Sequence, residues 1–159
     1  MMDLKLKDKV VLVTGAAQGI GLAVARGFAA EGAKLVLNDL NADALRAASA
    51  ELGGAAISIC DVGTREGVEV TVAAALATHG RIDVLVNNAG ISNRASRIED
   101  VSDADWQADL DLKLFAAIRL TRLVWRGMEA RQWGRIINVL NTGAKAPPAG
   151  GAPTAVSRA

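Results

Sequence analysis

Val10-Val11-Leu12-Val13-Thr14-Gly15-Ala16-Ala17-Gln18-Gly19-Ile20-Gly21 is the stretch on which the fold turns. Its first four residues form an unbroken, largely β-branched apolar run, as a strand covered on both faces requires. A segment of helical period follows the glycines to about Glu31, with Ile20, Val24 and Phe28 at i, i+4 and i+8 on one expected core face, and Gly32 fits its end. Between strand and helix, Gly15, Gly19 and Gly21 suit a tight turn, close approach of backbone to a pyrophosphate, and packing of helix on strand. The helix N-terminus just beyond offers free N–H groups and partial positive charge to phosphates. Glycines alone would signify only an ordinary turn; the flanking strand and helix give them meaning.

Working outward, the same alternation repeats. Strands are expected at Lys34 to Asn38, Ala55 to Cys60, Ile82 to Val86 and Ile136 to Val139. Helices are expected at about Ala42 to Leu52, Thr64 to Thr78 and, as one long element, Asp103 to Arg131, with Asp103 and Asp105 at its positive end. Strands alternating with helices of this length imply right-handed βαβ units and an α/β, doubly wound parallel sheet of Rossmann type. The 159 residues suit one dinucleotide-binding domain spanning 1–159. No repeat or linker divides them.

Composition narrows the function classes. Eighteen Lys and Arg against 17 Asp and Glu give a net charge of +1, no field for nucleic acid or anionic lipid. One cysteine, Cys60, excludes an internal disulfide framework and fits a reducing compartment. The first residues carry charges where a signal peptide needs an apolar stretch, and no run reaches membrane-spanning length. These features lead to the expectation of a soluble, cytoplasmic protein. Motifs for serine hydrolases, zinc peptidases and P-loop enzymes do not occur.

Asp39 ends the second strand, 24 residues after Gly15. A carboxylate there can accept both ribose hydroxyls and repels a 2′-phosphate, so NAD is the expected cofactor rather than NADP. Neither Gln18 nor Leu40 supplies the cation that a 2′-phosphate wants. A solvated Asp39 capping the next helix is the plainer alternative, and the two roles are compatible.

Four ordered motifs resemble the short-chain dehydrogenase/reductase family. Its TGxxxGxG signature matches Thr14 to Gly21; Asp61-Val62 stands where the family holds adenine; Asn87-Asn88-Ala89-Gly90 matches its NNAG; and Gly134 to Val139 resembles its fifth strand. The resemblance implies cofactor binding across the carboxyl ends of the strands, beside Gly15, Gln18, Gly19, Ile20, Gly21, Asp39, Leu40, Asp61, Val62, Asn88, Ala89 and Gly90. It implies hydride transfer between nicotinamide and a small-molecule carbonyl or alcohol. It also implies a larger sheet than the five strands here, further chain beyond Ala159, and assembly as a dimer or tetramer through the long helix, whose Leu112, Phe115 and Ile118 suit burial on more than one side.

The family's catalytic set is Asn, Ser, Tyr and Lys, and counting from the matched motifs lands on other residues. Lys113 lies seven after Trp106 at the helix position; Asn141 takes the serine position; Thr154 and Arg158 stand at the tyrosine and lysine positions. The chain contains no tyrosine at all. A threonine hydroxyl is far less acidic than a phenol. Arg158 can bond ribose hydroxyls but shuttles no proton. Asn141 keeps an amide donor able to polarise a carbonyl oxygen. A partly desolvated Lys113 could serve as acid or base, although a merely structural lysine is the plainer reading.

Two function classes therefore stand: an NAD(H)-dependent oxidoreductase with altered proton chemistry, and a catalytically silent NAD-binding sensor, regulator or structural subunit. A methyltransferase would share the glycine loop but not the NNAG segment. The remaining residues read as structural: His79 as a surface helix end, Cys60 as core, Trp106, Trp125 and Trp133 as packing anchors, and Lys145 as a surface charge.

Overall fold

A computed structural model describes residues 4–90, 97–148 and 150–158. Five parallel strands, β1 (Val10–Thr14), β2 (Lys34–Asp39), β3 (Ala56–Ile59), β4 (Val84–Asn87) and β5 (Arg135–Asn138), lie in the order β3-β2-β1-β4-β5. The register pairs Leu12 with Val36 on one side and Leu85 on the other, so β1 is central. The chain winds outward from β1 to β3, then crosses back to β4. The carboxyl ends of β1 and β4 therefore diverge at a switch point, where a doubly wound sheet leaves its crevice.

Side-chain alternation divides the core in two. Val10, Leu12, Val36 and Leu85 face α3 (Arg65–His79) and α5 (Ala116–Ala130), meeting Val68, Val72, Leu120 and Val124. Val11, Val13, Leu35, Leu37 and Val86 face α1 (Gly19–Ala30) and α2 (Ala42–Glu51), meeting Ala25, Leu45 and Ala48. Both faces of the central strands are buried, which is why these runs show no polar alternation. Each fully buried Val or Leu contributes about 1.5–3 kcal/mol of transfer free energy.

The expected core stripe of α1 sits differently. Gly21 and Ala25 are buried, Val24 and Phe28 are partly buried, and Ile20 is 63% exposed beside the crevice. Small residues face the sheet because this helix packs closely on it. Gly32, in the left-handed region at φ 76°, ends the helix as expected.

The long helix has a break in its register. Ser102 and Asp105 form a capping box at the start of α4 (Asp103–Leu110), and α5 completes the element. Between them Asp111–Phe115 forms a π-helical turn with Lys113 buried within it. The extra residue in that turn rotates α5 relative to α4, and such turns are frequent at functional sites.

Several structural expectations change. Cys60 is half-buried beyond the end of β3, not core. His79 is half-buried as the last residue of α3, and its Nε2 lacks a partner among the described residues. Trp125 is 55% exposed, so it is not a buried packing anchor. Trp133 does pack on the core, with Lys9 Nζ 4.1 Å and the Arg135 guanidinium 5.1 Å from its ring centre. Lys145 is exposed as expected. The loop through Ser92 to Ser96 lies outside the described residues.

Candidate active site

The crevice is assembled first by β1 and β4. Thr14, 1% exposed at the end of β1, donates from Oγ1 to the Val86 carbonyl at 3.3 Å. The same oxygen accepts the Asn88 and Ala89 N–H groups at 3.1 and 3.0 Å. Asn88 returns the contact, donating from Nδ2 to the carbonyls of Thr14 and Gly15, each at 3.0 Å. Two motifs 74 residues apart are thus fastened into one ledge. A Cβ on Gly21 would lie 2.0 Å from the Gly15 carbonyl oxygen, so the helix can approach the turn this closely only without a side chain.

Residues named from the glycine signature, the β2 terminus, Asp61-Val62 and the NNAG segment line one cavity of about 530 Å³. Every candidate from Gly15 to Gly90 borders it except Gly21, which lies directly beneath the turn. Gln18 gives the first turn of α1 no side-chain cap, which leaves that terminus available to phosphate. Asp39 is held by the backbone: Oδ2 accepts from Ala17 N–H at 3.1 Å and Oδ1 from Asn41 N–H at 3.0 Å. The helix-cap role falls instead to Asn41, which accepts from Ala44 N–H at 3.1 Å. Asp61 closes a turn, accepting from Gly63 N–H at 2.8 Å, while Val62 is 3% exposed beneath it. The volume, the open helix terminus and the fixed carboxylate fit a nicotinamide dinucleotide.

Beyond Arg158, which borders the cavity, the structure brings three of the four catalytic candidates close together. Lys113 donates from Nζ to Asp109 Oδ1 and, at 2.6 Å, to Thr154 Oγ1. Ser157 donates to Asp109 Oδ2. The Lys113 and Asp109 side chains are 1% and 2% exposed, so this is a fully buried ion pair. Arg158 follows one turn after Thr154 in α6 (Thr154–Ser157) and its cap. Its guanidinium donates to the carbonyls of Asn88 and Ala89 at 2.9 and 3.0 Å. Burial pushes the Arg158 guanidinium below its usual range, and the charge of Asp109 works against that shift. Gly90 makes room for it, since a Cβ there would lie 1.9 Å from Arg158 Nη2.

Asn141 joins this group only through its backbone, its N–H donating to the Arg158 carbonyl at 3.3 Å. It is exposed and caps a short turn, accepting from Gly143 N–H at 2.7 Å. Its acceptor is therefore occupied, and its amide nitrogen takes no part in that bond.

The sequence reading missed Asp109, Ser157 and Thr14. Asp109 and Lys113 carry a signal, an acid four residues before a lysine on a helix, but that spacing ordinarily marks a solvent-exposed pair. Thr14 was legible only as a letter of the glycine signature.

This ledge, glycine turn and acidic strand end define a Rossmann-type fold, whose crevice suits a dinucleotide. The short chain dehydrogenase family profile matches residues 9–158, and the chain belongs to that family. A D-threitol dehydrogenase of Mycolicibacterium smegmatis is 38% identical over 146 residues, which cover 89% of this chain and 56% of the relative. Among solved structures, L-sorbose reductase of Gluconobacter frateurii, complexed with NADPH and L-sorbose, superposes with a TM-score of 0.94 at 37% identity, covering 99% of this chain and 61% of that one. An NAD+-bound xylitol dehydrogenase superposes with a TM-score of 0.89 at 35% identity, covering 97% and 61%. The chain thus spans just over half the length of the threitol dehydrogenase it matches. The fold is that of an oxidoreductase family whose members hold nicotinamide cofactors.

Proposed function

We propose that the chain is the nucleotide-binding and reaction-bearing part of an NAD(H)-dependent oxidoreductase acting on a small carbonyl or alcohol compound, with residues 1–159 forming one domain. The observation that carries this reading is the fixed carboxylate of Asp39 at the lip of the cavity, opposite a helix terminus without a side-chain cap. A carboxylate so held accepts ribose hydroxyls and opposes a 2′-phosphate. The cofactor, when bound, supplies the hydride. The chain's part is to hold the pyrophosphate along Gly15 to Gly21, the adenine beside Asp61 and Val62, and the nicotinamide end near Ala89, Gly90 and Arg158. Lys113, Thr154, Asn141 and Arg158 form the catalytic neighbourhood. Relatives that interconvert alcohols and carbonyls support the reaction class.

Calorimetric titration with NADH and NADPH tests the cofactor assignment. NADH binds more tightly, and Asp39→Ala weakens it while narrowing the gap, because the variant loses both the ribose acceptor and the repulsive charge. Equal or tighter NADPH binding by the unaltered chain refutes the assignment.

A second reading, a silent NAD-binding regulator or subunit, draws on the burial of the Lys113–Asp109 pair, which ties the lysine's charge to a carboxylate. Turnover with any carbonyl compound decides against it. We also place the protein in the cytoplasm; among the described residues no helix is long and apolar enough to cross a membrane. A homo-oligomer is the proposed state, formed over the exposed Leu114, Phe115, Leu123 and Trp125. A sharp monomer in light scattering excludes it.

A further inference from the structure

We propose that Arg119, which lies outside the nucleotide cavity, is the positioning residue of its adenine end: one guanidinium clamps together the two segments that form that wall. This inference rests on the dinucleotide reading above. Three observations carry it.

The first is where the two arms of the guanidinium reach. Arg119 donates from Nη1 to the Gly63 carbonyl at 2.8 Å and from Nη2 to Asp111 Oδ1 at 3.0 Å. Gly63 follows Val62, and Asp111 precedes Leu112. Val62 and Leu112 are apolar residues that border the cavity with Asp61. The arginine thus holds the chain neighbour of each lining residue, across 56 positions of sequence in the case of Gly63. A planar fork keeps its two acceptors at a set separation, which an ammonium on a flexible stem does not.

The second is the fit of the turn against the helix. A Cβ on Gly63 would lie 3.7 Å from Leu112 Cα, so the turn touches the backbone of the π-helical segment. Within the turn, Asp61 Oδ1 accepts from Gly63 N–H at 2.8 Å. The Asp61 carbonyl accepts from Thr64 N–H at 3.1 Å and from Thr64 Oγ1 at 2.8 Å. Thr64 then caps α3, accepting from Gly67 N–H at 3.0 Å. Asp61 to Thr64 therefore move as one unit, and Arg119 ties that unit to the long helix.

The third is that the clamp is braced but adds little to overall stability. Gln107 Nε2 donates to Asp111 Oδ2 at 2.9 Å, fixing the carboxylate from its other side. The Phe115 ring centre lies 5.4 Å from the guanidinium. The Arg119 and Asp111 side chains are 27% and 30% exposed, so water screens the pair. Its consequence is local, the spacing between the Val62 turn and Leu112. A flat, rigid base cannot follow a wall that moves, and a gap of about 0.5–1 Å already forfeits about a quarter to a half of each contact's attraction.

The test uses the full chain with ADP-ribose, which carries the adenosine and pyrophosphate without the nicotinamide and so binds without turnover. Calorimetric affinity is measured for wild type, Arg119→Met, Arg119→Gln and Arg119→Lys, and amide hydrogen exchange is followed by NMR in the free proteins. Arg119→Met and Arg119→Gln weaken ADP-ribose binding by roughly 3- to 30-fold. Arg119→Lys, which keeps the charge but not the fork, loses less. Exchange quickens at the Gly63 and Thr64 amides. The Ala17 and Asn88 amides, in the phosphate turn and the NNAG ledge, keep their wild-type rates.

A folded Arg119→Met or Arg119→Gln protein that binds ADP-ribose as tightly as wild type overturns the proposal while leaving the dinucleotide reading intact. Exchange quickened equally at Ala17 and Asn88, or failure of both variants to fold, makes the arginine a support of the whole fold and overturns it too. An unaltered chain that does not bind ADP-ribose removes the dinucleotide reading itself.

Discussion

Replacing Asp109 with alanine strips the countercharge from Lys113 and the acceptor from Ser157 in a single step. Both charged side chains are within 2% of complete burial, so no water can replace the lost carboxylate without opening the structure. Removing one member of a buried pair costs about 3–5 kcal/mol, because the other is left charged and unpaired. The orphaned Ser157 hydroxyl adds about 1 kcal/mol. Against a typical domain stability of about 5–15 kcal/mol, this is a large fraction of the whole. At roughly 2–4 °C per kcal/mol for a chain of this size, the melting temperature falls by roughly 8–24 °C. Circular dichroism at 222 nm gives the transition, and urea titration at one temperature gives the free energy. Two comparisons give the result its meaning. Asp109→Leu/Lys113→Met, which removes both charges together, recovers much of the loss, since an apolar pair of similar volume leaves nothing buried and unpaired. Arg26→Ala breaks an ion pair whose side chains are 54% and 46% exposed and leaves the melting temperature nearly unchanged. An Asp109→Ala protein that melts within about 2 °C of wild type refutes the assignment of this pair as a buried, mutually dependent unit. So does a double variant as unstable as the single one.

Gly21→Ala places a methyl group 2.0 Å from the Gly15 carbonyl oxygen and 2.6 Å from Asn88 Nδ2, forcing the phosphate turn away from the NNAG ledge; NADH affinity falls at least tenfold, about 1.4 kcal/mol or more, and unchanged calorimetric affinity removes the turn from the site. Acid destabilises the long helix through two carboxyls: hydrogen bonds from Ser102 hold Asp105, and a hydrogen bond from Gln107 chiefly holds Asp111, below the usual carboxylate range. Since both folded-state values lie below the unfolded value of about 3.9, their contribution is fully present above that pH and is lost as pH falls through the folded values; Asp105→Asn and Asp111→Asn therefore lessen the pH dependence of the urea midpoint below about pH 4, and an unchanged slope contradicts the assignment. Arg158→Gln loses the charge that braces the Asn88 and Ala89 carbonyls from the cavity side; NADH affinity weakens in fluorescence titration, and an unaltered affinity shows that the guanidinium lies outside the nucleotide site.

The order of elements and the nucleotide half of the site were legible because their causes are local. Val10 to Val13 must be covered on both faces, Gly15 and Gly21 admit backbone where a side chain cannot fit, and Asp39 ends a strand at a spacing set by one βαβ unit. Each of these is a property of a few adjacent residues, and sequence records adjacency directly. The orientation of α1 was less legible, since the period placed Ile20 on the core stripe while the close packing of Gly21 and Ala25 turned it to the crevice. Sequence alone also read one long helix where the backbone takes a π turn at Asp111–Phe115, because the hydrogen-bonding register of a helix depends on what its buried residues must reach. Only the tertiary structure decided the chemistry at positions 109, 113, 154 and 157. An acid and a lysine four apart are a surface pair when solvated, and become a buried, charged pair only when α6 closes over them from more than forty residues away. The types of the residues were in the sequence. Their burial, which changes an exposed ion pair of little consequence into a buried and mutually dependent one, came from the packing of two distant segments.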